Sequence, residues 1–371
     1  MAKIYILAND TTYTYNLRDQ IIERLISDGN EVTIVSQTLL FCDELHAMGC
    51  KTIDININRH GKNPFSDFIL LFWYWKIIRK GKPDIVLCYN IKPNSYGGIA
   101  CRLTKTRYIP NITGLGIPLE RPGTIQKIAM RLYRMGVANA SCIMFQNEEN
   151  KQFFYNHKMI KGKTRSHLLP GSGVNLKKQV PMDYPDEKEG INFLFIARLM
   201  KEKGIDLYMN AARRIHEKYK QTKFHICGYC DDKKYLRDLQ LLEKEGYIVY
   251  HGEQKDLRPF FEKAHCIVHP SYYPEGISNV LLEAAAHCRP VITTDRSGCR
   301  ETVDDKATGF IIPINNEDAL VDSMIKFIEM SWQKKKEMGL EGRRKIEKVF
   351  DRRIVAEAYS EEIGNAIRLQ A

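Results

Sequence analysis

Residues 266–286 read CIVHPSYYPEGISNVLLEAAA and fall into three parts of different character. The first four residues form a short apolar run, the last eight are rich in Leu and Ala, and Pro270, Pro274 and Gly276 lie between them. An apolar run bounded by turn residues predicts a buried strand, and the run after Gly276 predicts a helix that continues to His287. The stretch is therefore one strand–loop–helix unit.

The same alternation extends along the whole chain. We predict six strands in the first half, at 3–8, 32–36, 51–55, 84–89, 108–112 and 142–146, and six in the second, at 191–197, 223–227, 248–250, 266–269, 291–294 and 310–312. Their apolarity is continuous rather than alternating, which is typical of a parallel sheet covered by helices on both faces. The sequence thus predicts an α/β fold of two doubly wound, Rossmann-like domains.

The domain boundaries follow from composition. A chain of 371 residues predicts two or three domains, and the apolar pattern lapses into prolines and charges between Gly173 and Gly190. We therefore expect an N-terminal domain over 1–175, a linker over 176–188, a C-terminal domain over 189–345, and a C-terminal helix over 346–371 that packs back toward the first domain. Because open α/β sheets bind ligands beyond the carboxyl ends of their strands, the cleft between the domains is the expected active site.

Two acidic residues of the opening stretch, Glu275 and Glu283, are candidates for ligand binding. We expect Glu275 at the mouth of the cleft and Glu283 on the helix face toward the same ligand. The free N–H groups of a helix that starts at Gly276 can hold a phosphate, with Ser278 or Asn279 as a cap. The alternative is that both acids are solvated, one in a loop and the other on a helix surface.

A second stretch, FIARLMKEKG at 195–204, carries two cations. A buried strand ends in Arg198, and Gly204 introduces the next helix. Placed after a strand, Arg198 and Lys203 are suited to clamp a diphosphate, Arg by its planar fork and Lys as a point charge. The alternative is that they are two solvated loop cations.

These two stretches together resemble the retaining, nucleotide-sugar-dependent glycosyltransferases of family 4, which have the two-domain GT-B fold. The match consists of Arg-Leu-x-x-x-Lys-Gly at 198–204 and of the acid pair Glu275 and Glu283 with seven residues between them. Further segments match in order along the chain, at 111–116, 170–174, 283–292, 298–301 and 309–310. The acid spacing alone is weakly specific, whereas the ordered set is highly specific.

The resemblance implies that the second domain binds the donor and the first binds the acceptor. It implies a catalytic role for Arg198 and Lys203 at the diphosphate and for Glu275 at the sugar hydroxyls, and a contact of Glu283 with the ribose. The implied donor-binding set is Arg198, Lys203, Gly228, Glu275, Gly276, Ile277, Ser278, Asn279 and Glu283. The implied acceptor-side residues are Asn111, Thr113 and Gly114.

The chain departs from the family pattern at two positions. Thr113 stands where many members have a histidine that contacts the donor sugar, so the role of that histidine has no counterpart here. Cys230 replaces the second glycine of the turn that contains Gly228, so only Gly228 is carried over. Cys227 and Cys230 also resemble a thioredoxin-type redox motif, but without its preceding Trp, and we interpret them as two buried thiols.

Charge divides the chain unevenly. Residues 1–180 hold 25 Lys and Arg against 13 Asp and Glu, whereas residues 181–371 hold 31 against 32. The basic first half predicts an anionic partner. Because Arg-Gly tracts and zinc-finger spacings are absent, we expect no nucleic acid among the partners, and favour phospholipid or a phosphorylated substrate.

Two segments combine apolar and basic residues. In 121–136, three cations lie beside an apolar stripe, an arrangement that suits an anionic membrane surface and is equally consistent with an ordinary core-facing helix. The residues concerned are Lys127, Arg131 and Arg134, with Ile125, Ile128, Leu132 and Met135. Residues 65–82 are a second segment suited to a membrane, but for these we favour a core-facing helix with a solvated charged face. The apolar residues concerned are Phe68, Ile69, Leu71, Phe72, Trp73 and Trp75, and the segment ends in Lys76, Arg79, Lys80 and Lys82.

Other sequence features bound the chemistry and the location. No Asp-x-Asp occurs, and no His or Cys cluster has metal-ligand spacing, so we expect no metal and no cofactor. The longest uncharged apolar run, 68–75, is too short to span a bilayer, and the N-terminus lacks a signal pattern. We therefore expect a cytoplasmic protein that is peripheral at the inner face of the membrane.

The resemblance implies a retaining, α-forming glycosyltransferase that moves a hexose or N-acetylhexosamine from a UDP-sugar to a membrane lipid-linked glycan in bacterial polysaccharide synthesis. A nucleotide-sugar epimerase of the same fold is the alternative enzyme, and it differs in converting the donor without an acceptor. A third possibility is a non-catalytic partner subunit, which would not require Arg198, Lys203, Glu275 and Glu283 together.

Overall fold

The computed structural model describes residues 1–56, 64–120, 122–160 and 164–368, and divides the chain into two compact units. Unit 1 comprises Met1–Gly173, Glu275–Ile277 and Arg352–Ala371; unit 2 comprises Val174–Pro274 and Ser278–Asp351. The chain therefore passes from one unit to the other four times.

Unit 1 is built on a seven-stranded sheet in which every neighbouring pair is parallel. Its strands are β1 Lys3–Asp10, β2 Glu31–Gln37, β3 Lys51–Asp54, β4 Ile85–Tyr89, β5 Arg107–Ile112, β6 Ile143–Phe145 and β7 Ser166–Leu168. They lie in the order β3-β2-β1-β4-β5-β6-β7, so the winding reverses between β1 and β4. The six strands predicted in the first half are confirmed. The edge strand β7 has no predicted counterpart, because its three residues are only partly buried and form no apolar run.

Helices cover both faces of this sheet. They are α1 Thr11–Ser27, α2 Cys42–Ala47, α3 Pro64–Gly81, α4 Gly98–Thr104, α5 Ile117–Glu120, α6 Thr124–Val137 and α7 Glu148–Asn156, with the last helix of the chain, Arg352–Arg368. Ile4 and Ile6 of β1 pack with α1 and with Tyr359 of the last helix. The alternate residues Tyr5 and Leu7 pack with α3 and α4, and α6 covers the same face farther along the sheet.

The helix α3 has two apolar faces. Leu70, Tyr74 and Ile78 are buried in the core, as expected of a core-facing helix. The opposite face presents large apolar side chains that are 42% to 71% exposed, namely Phe65, Phe68, Ile69, Phe72 and Trp73. The prediction that the face of 65–82 opposite the core is a solvated charged face is therefore wrong. Three buried residues are enough to pack the helix on the core, and the remaining large apolar side chains are left in solvent.

Unit 2 repeats the architecture with six parallel strands. These are β8 Asn192–Ile196, β9 Lys223–Cys227, β10 Val249–Tyr250, β11 Cys266–His269, β12 Val291–Thr294 and β13 Gly309–Ile312. Their order is β10-β9-β8-β11-β12-β13, and the winding reverses between β8 and β11. The helices of unit 2 are α8 Ile205–Lys218, α9 Lys233–Lys244, α10 Arg258–Lys263, α11 Asn279–Ala286, α12 Glu317–Glu329 and α13 Trp332–Val349. The last helix of the chain, Arg352–Arg368 in unit 1, is α14. All six predicted strands of this half are confirmed.

The segment predicted as a linker, 176–188, contains no helix or strand and packs within unit 2. The buried guanidinium of Arg289 donates a hydrogen bond to the carbonyl oxygen of Asp183 at 2.7 Å. At the other end of unit 2, α13 runs through the predicted boundary at 345–346, and the chain enters unit 1 only at Arg352. Residues 369–371 of the predicted C-terminal helix, and Arg121 at the start of the predicted segment 121–136, lie outside the described residues.

Candidate active site

The predicted donor residues of unit 2 follow strands that meet at one edge of its sheet. Arg198 and Lys203 follow β8, Gly228 follows β9, and Ser278 lies between β11 and α11. Because the carboxyl ends of parallel strands share an edge, these loops come together where β8 and β11 reverse the winding, which is where doubly wound sheets bind their ligands.

The most perturbed cation at this edge is Lys203. It lies in a short 3₁₀ turn, Lys201–Lys203, with its Nζ 5.0 Å from the centroid of the Tyr273 ring. The pKa of Lys203 is lowered to about 8, mainly by burial and to a smaller extent by the charge of Arg198, whose side chain is exposed. An ammonium held in this environment is stabilised by a bound anion.

The turn that carries Lys203 is joined to the loop after β11. The backbone N–H of Tyr272 donates to the carbonyl oxygen of Glu202 at 2.9 Å. Gly204 has a φ of 80°, and a Cβ there would lie 2.3 Å from the carbonyl oxygen of Pro270. The glycine of the Arg-Leu-x-x-x-Lys-Gly pattern is therefore required both by its backbone conformation and by close approach.

Gly228 has a similar physical reason to be glycine. Its φ is 153°, and a Cβ there would lie 1.7 Å from the carbonyl oxygen of Ala197. Beside it, burial raises the pKa of the Cys227 thiol to about 12 and also raises that of Cys230. A reactive thioredoxin-type cysteine has a lowered pKa, so these shifts argue against a redox motif. The prediction of two buried thiols is confirmed for Cys227 and wrong for Cys230, which is partly exposed.

The helix expected to open at Gly276 starts three residues later. It is α11, with Ser278 at the N-cap position and Leu282 N–H donating to the carbonyl oxygen of Ser278 at 3.3 Å. The prediction of a start at Gly276 is wrong because the preceding carbonyl groups are bonded elsewhere. The side-chain amide of Asn147 donates to the carbonyl oxygens of Glu275 at 3.1 Å and Gly276 at 2.6 Å.

Residues Glu275–Ile277 accordingly belong to unit 1. A Cβ on Gly276 would lie 2.1 Å from Oε1 of Gln146 and 2.7 Å from the carbonyl oxygen of Thr113. Ile277 is buried, and a Cβ on Gly171 would lie 2.6 Å from its own Cβ. Gly276 and Ile277 thus have a packing role whatever they contribute to ligand binding.

The two acids do not share a helix. Glu275 is a partly buried loop residue, whereas Glu283 is the fifth residue of α11 and partly exposed. The Ser278 side chain does not cap α11; its Oγ lies 3.3 Å from Nε2 of the buried His269. Burial lowers the pKa of His269 well below its ordinary value, so this ring is neutral at pH 7. Asn279 is the first residue of the helix, whose initial N–H groups have no side-chain acceptor from Ser278.

Asn111, predicted on the acceptor side, is buried in a hydrogen-bond network of unit 1. Its amide donates to the hydroxyl of Tyr359, and its Oδ1 accepts from Nε2 of Gln146 at 3.4 Å. Thr113 and Gly114 follow it and are partly exposed. The network explains why an amide is needed at position 111.

Sequence reasoning missed the polar cluster after β6. Besides Asn147, the amide of Asn150 donates to the carbonyl oxygen of Glu275 at 3.2 Å. Asn147 also caps α7, its Oδ1 accepting from the backbone N–H of Asn150 at 2.8 Å. The available signal was a pair of amides placed directly after a strand, at the edge where parallel sheets bind ligands. Within the described residues, no group of three or more His, Cys, Asp or Glu is placed to hold a metal ion.

Two known protein families match this chain, one in each half. Residues 3–147 match the family described as glycosyl transferase 4-like, and residues 181–345 match the family described as glycosyl transferases group 1. The chain belongs to the group 1 glycosyltransferases of family 4. Its fold is GT-B and its class is that of a transferase.

This glycosyltransferase has relatives in bacterial glycan synthesis. It is 24% identical over 343 residues, 88% of this chain and 89% of the relative, to the N,N'-diacetylbacillosaminyl-diphospho-undecaprenol alpha-1,3-N-acetylgalactosaminyltransferase of Campylobacter jejuni. It is 27% identical over 305 residues, 79% of this chain and 80% of the relative, to the capsular polysaccharide biosynthesis glycosyltransferase CapM of Staphylococcus aureus.

Solved structures share the fold of the glycosyltransferase. A glycosyltransferase from Rickettsia africae has a TM-score of 0.78 at 18% identity, covering 99% of this chain and 98% of that one. HepE from Anabaena, solved in complex with UDP and glucose, has a TM-score of 0.79 at 16% identity, covering 98% of this chain and 100% of that one. These structures show the fold, whereas the two named relatives are glycosyltransferases of lipid-linked glycan and capsular polysaccharide synthesis.

Proposed function

We propose that the protein transfers a hexose or N-acetylhexosamine from a UDP-sugar to a lipid-linked glycan, with retention of the α configuration. The observation that carries the proposal is the cation pair at the carboxyl edge of the unit 2 sheet. Lys203, with its pKa lowered to about 8 by burial, and the exposed Arg198 follow the strand β8 at the point where the winding reverses. A diphosphate is the ligand that relieves the cost of burying this charge.

These groups supply what the departure of a nucleoside diphosphate requires. The bond from the anomeric carbon to the β-phosphate oxygen breaks, and negative charge develops on the diphosphate, where Arg198 and Lys203 stabilise it. The first N–H groups of α11 add to this field, since a helix N-terminus favours an anion. We assign no metal and no cofactor to the step.

The stereochemical course follows from attack on the face that the diphosphate leaves. The transition state is oxocarbenium-like, the acceptor oxygen forms the new bond to the anomeric carbon, and its proton passes to the departing phosphate oxygen. Resemblance to the family supports this course and assigns Glu275 to the sugar hydroxyls and Glu283 to the ribose. The remaining donor residues, Gly228, Gly276, Ile277, Ser278 and Asn279, are proposed on the same basis.

Named relatives support the choice of substrates. HepE, which has the same fold, was solved with UDP and glucose, and further complexes of HepE contain UDP or UDP-glucose. The Campylobacter relative is named for N-acetylgalactosaminyl transfer to a diphospho-undecaprenol-linked sugar. We therefore propose a UDP-linked donor and a lipid-linked acceptor bound on the side of unit 1 that carries Asn111, Thr113 and Gly114.

We further propose that unit 1 docks on the cytoplasmic face of an anionic membrane, where such an acceptor is presented. The residues of α6 that pack against the core are Tyr133, Gly136 and Val137. The apolar residues Ile125 and Ile128 of the same helix are more than half exposed. The cations Lys127, Arg131 and Arg134 are exposed on the same helix. A solvent-facing stripe of apolar and basic side chains suits the headgroup region of a bilayer.

The second apolar face of α3 supports the same docking. Its exposed positions 65, 68, 69, 72 and 73 are followed on the same helix face by Lys76, Arg79 and Lys80. Since α3, α4 and α6 cover one face of the sheet, their outer surfaces are presented together. No helix among the described residues is long and apolar enough to cross a membrane.

The deciding experiment is a screen of UDP-sugars against undecaprenyl-diphosphate-linked acceptors, read by UDP release and product mass. We expect UDP release that depends on the acceptor and a product heavier by one sugar. A nucleotide-sugar epimerase would convert the donor without acceptor, and a non-catalytic subunit would neither release UDP nor gain thermal stability from any donor. The anomeric proton coupling of the product, measured by NMR, tests retention.

A further inference from the structure

A small cavity lies in unit 1 at the carboxyl ends of β1 and β4, where the winding of that sheet reverses. Its volume is about 140 Å³, which is room for a small polar group such as a phosphate or a carboxylate. It is lined by the end of β1, one side of α1 and the end of β4. No predicted donor or acceptor residue lines it.

The cavity contains a buried cation, Arg18 on α1. Its side chain is only 6% exposed, and its guanidinium lies 4.4 Å from the centroid of the Tyr89 ring. One of its N–H groups donates to the carbonyl oxygen of Leu17 at 2.8 Å. Among the described residues, no carboxylate lies within ion-pair distance of Arg18. A guanidinium buried without an acid is costly to the fold, and an anionic ligand would offset that cost.

A second charge lines the same cavity, but the helix compensates it. Asp10 is fully buried and is the N-cap residue of α1, where its Oδ1 accepts from the backbone N–H of Tyr13 at 2.8 Å. The positive end of the helix dipole therefore stabilises the carboxylate. The charge that remains for a ligand is that of Arg18, which lies two turns farther along the helix.

The rim of the cavity includes two asparagines. Asn90, which follows β4, has a φ of 75° and lines the opening together with Asn9. Both residues carry side-chain amides, which can donate hydrogen bonds to a ligand in the cavity.

We propose that this cavity binds an oxyanion of the acceptor, either a phosphate of its lipid-diphosphate linkage or the carboxylate of an acidic sugar. The proposal rests on the proposed function, because it uses the assignment of the acceptor to unit 1. Arg18 supplies the bidentate fork, Asn9 and Asn90 supply neutral donors, and the Tyr89 ring holds the guanidinium plane in place. Arg18 is thus a specificity residue for a charged acceptor.

The test separates this cavity from the donor clamp. In an Arg198→Gln, Lys203→Gln background, geranyl diphosphate and methyl glucuronoside are titrated by calorimetry, with and without Arg18→Gln. We expect one of the two probes to bind the background variant and to bind at least about 30-fold more weakly once Arg18 is replaced, since a buried, hydrogen-bonded charge partner is lost. The probe that binds identifies the source of the anion. Failure of both probes to bind would overturn the proposal.

A second titration tests whether the anion bound in the cavity comes from the donor instead of the acceptor. UDP is titrated into the wild-type chain and into the single variant Arg18→Gln. We expect Arg18→Gln to leave UDP affinity unchanged. A loss of UDP affinity alone would assign the cavity to the donor and contradict the proposal. These experiments measure binding, so their outcome does not depend on whether sugar transfer is observed. Absence of transfer with every donor would count against the proposed function and not against this cavity.

Two substitutions at one residue on the rim of the cavity give a test that does not depend on the stability of the Arg18 variant. Leu17 lines the cavity and is partly exposed, so Leu17→Glu and Leu17→Lys place opposite charges there with similar bulk. We expect Leu17→Glu to weaken binding of the same probe and Leu17→Lys to preserve it. Equal binding by both, or a lowered melting temperature of Arg18→Gln with unchanged probe affinity, would show that Arg18 only stabilises the fold. With active enzyme, Arg18→Gln should raise the acceptor KM with little change in kcat.

Discussion

The side-chain amide of Asn147 donates a hydrogen bond to the carbonyl oxygen of Gly276 at 2.6 Å, although 129 residues separate the two along the chain. The same amide donates to the carbonyl oxygen of Glu275 at 3.1 Å. These bonds hold the backbone around a predicted catalytic acid in a loop conformation and delay the start of α11 to Asn279. The position of Glu275 is therefore determined by a residue outside the family motif that contains it.

The first prediction tests this amide. Asn147→Asp keeps the cap of α7, because Oδ1 still accepts from the N–H of Asn150, but it removes the donor and places a carboxylate against two carbonyl oxygens. We expect kcat/KM to fall by about 30-fold or more, since an unpaired buried polar group costs ~1–3 kcal/mol and a charged one more. Steady-state kinetics measures this loss.

Asn156→Asp is the matched control, because Asn156 is exposed and is the last residue of α7. It should leave kcat/KM unchanged. If Asn147→Asp were as active as this control, the amide would have no influence on Glu275.

The second prediction concerns the diphosphate clamp. Arg198→Ala and Lys203→Ala should each reduce kcat/KM for the donor by at least ~100-fold, because each removes a charged contact worth about 2–4 kcal/mol in the transition state. Lys201→Ala, an exposed lysine of the same turn, should be close to wild type. Melting temperatures check that the three variants fold. Near-wild-type turnover of either clamp variant would contradict the assignment.

The third prediction follows from the lowered pKa of Lys203. Burial brings it from an ordinary 10.5 to about 8, so above pH 8 the free enzyme loses the ammonium that binds the diphosphate. The dissociation constant for UDP should be lowest near pH 7, where the UDP phosphate is fully ionised and Lys203 is charged, and increase as the pH rises from 8 to 9.5. Lys203→Arg keeps its charge and should show no such increase. A parallel rise in both proteins would assign the pH dependence to another group.

The same shift has the opposite effect on stability. The folded protein holds the Lys203 proton less tightly than the unfolded chain does, so folding is penalised while the folded amine is charged. The penalty is present below pH 8 and disappears as the pH rises toward 10.5, where the unfolded amine also loses its proton. Donor affinity and intrinsic stability should therefore change in opposite directions over this window.

The fourth prediction is that activity survives excess EDTA. The proposed clamp consists of side-chain cations and helix N–H groups rather than a carboxylate-held ion. UDP release measured before and after dialysis against EDTA should agree within twofold. Loss of activity that only Mg²⁺ or Mn²⁺ restores would contradict the mechanism.

Local sequence patterns were sufficient for elements buried on both faces. The strand β11 is predicted residue for residue, since Cys266–His269 is a continuous apolar run followed by turn residues. The strand β7 is not predictable in this way, because Ser166–Leu168 is an exposed edge that sheet pairing alone defines. The predicted start of α11 at Gly276 is wrong for a related reason. The carbonyl oxygen of Gly276 accepts a hydrogen bond from Asn147, a residue in a distant part of the chain that local sequence does not reveal.

The same reasoning explains what could be predicted of the candidate sites. Arg198, Lys203 and Gly228 lie directly after strands, so their clustering follows from the topology of a parallel sheet. The exposure of Phe68 and Phe72 could not be read from composition, because both faces of α3 are apolar and only the packed structure shows which face the core uses. That no described carboxylate lies within ion-pair distance of Arg18 is likewise a property of packing.

The last prediction is that unit 1 binds anionic membrane by charge on α6 and by apolar contact through α3. Three cations near the headgroups contribute roughly 1 kcal/mol each at low salt, an attraction that falls off within a Debye length of about 8 Å at physiological ionic strength. The triple variant Lys127→Glu, Arg131→Glu, Arg134→Glu should therefore lower sedimentation with phosphatidylglycerol vesicles to about the level that the wild type shows in 0.5 M salt. Phe68→Ser with Phe72→Ser should instead remove the part of the binding that survives 0.5 M salt, because inserted apolar area is not screened.

Two controls distinguish these contributions from general effects of substitution. Arg134 also donates to the carbonyl oxygen of His157 at 3.1 Å, so the double variant Lys127→Glu, Arg131→Glu shows whether charge alone suffices. Leu241→Ser removes a side chain that is 50% exposed in unit 2 and should leave vesicle binding unchanged. Equal sedimentation of wild type and the triple variant would reject α6 as the docking element. Binding of wild type that vanishes entirely in salt would reject insertion of α3, and no binding at low salt would reject docking on anionic lipid, because both sources of attraction are strongest there.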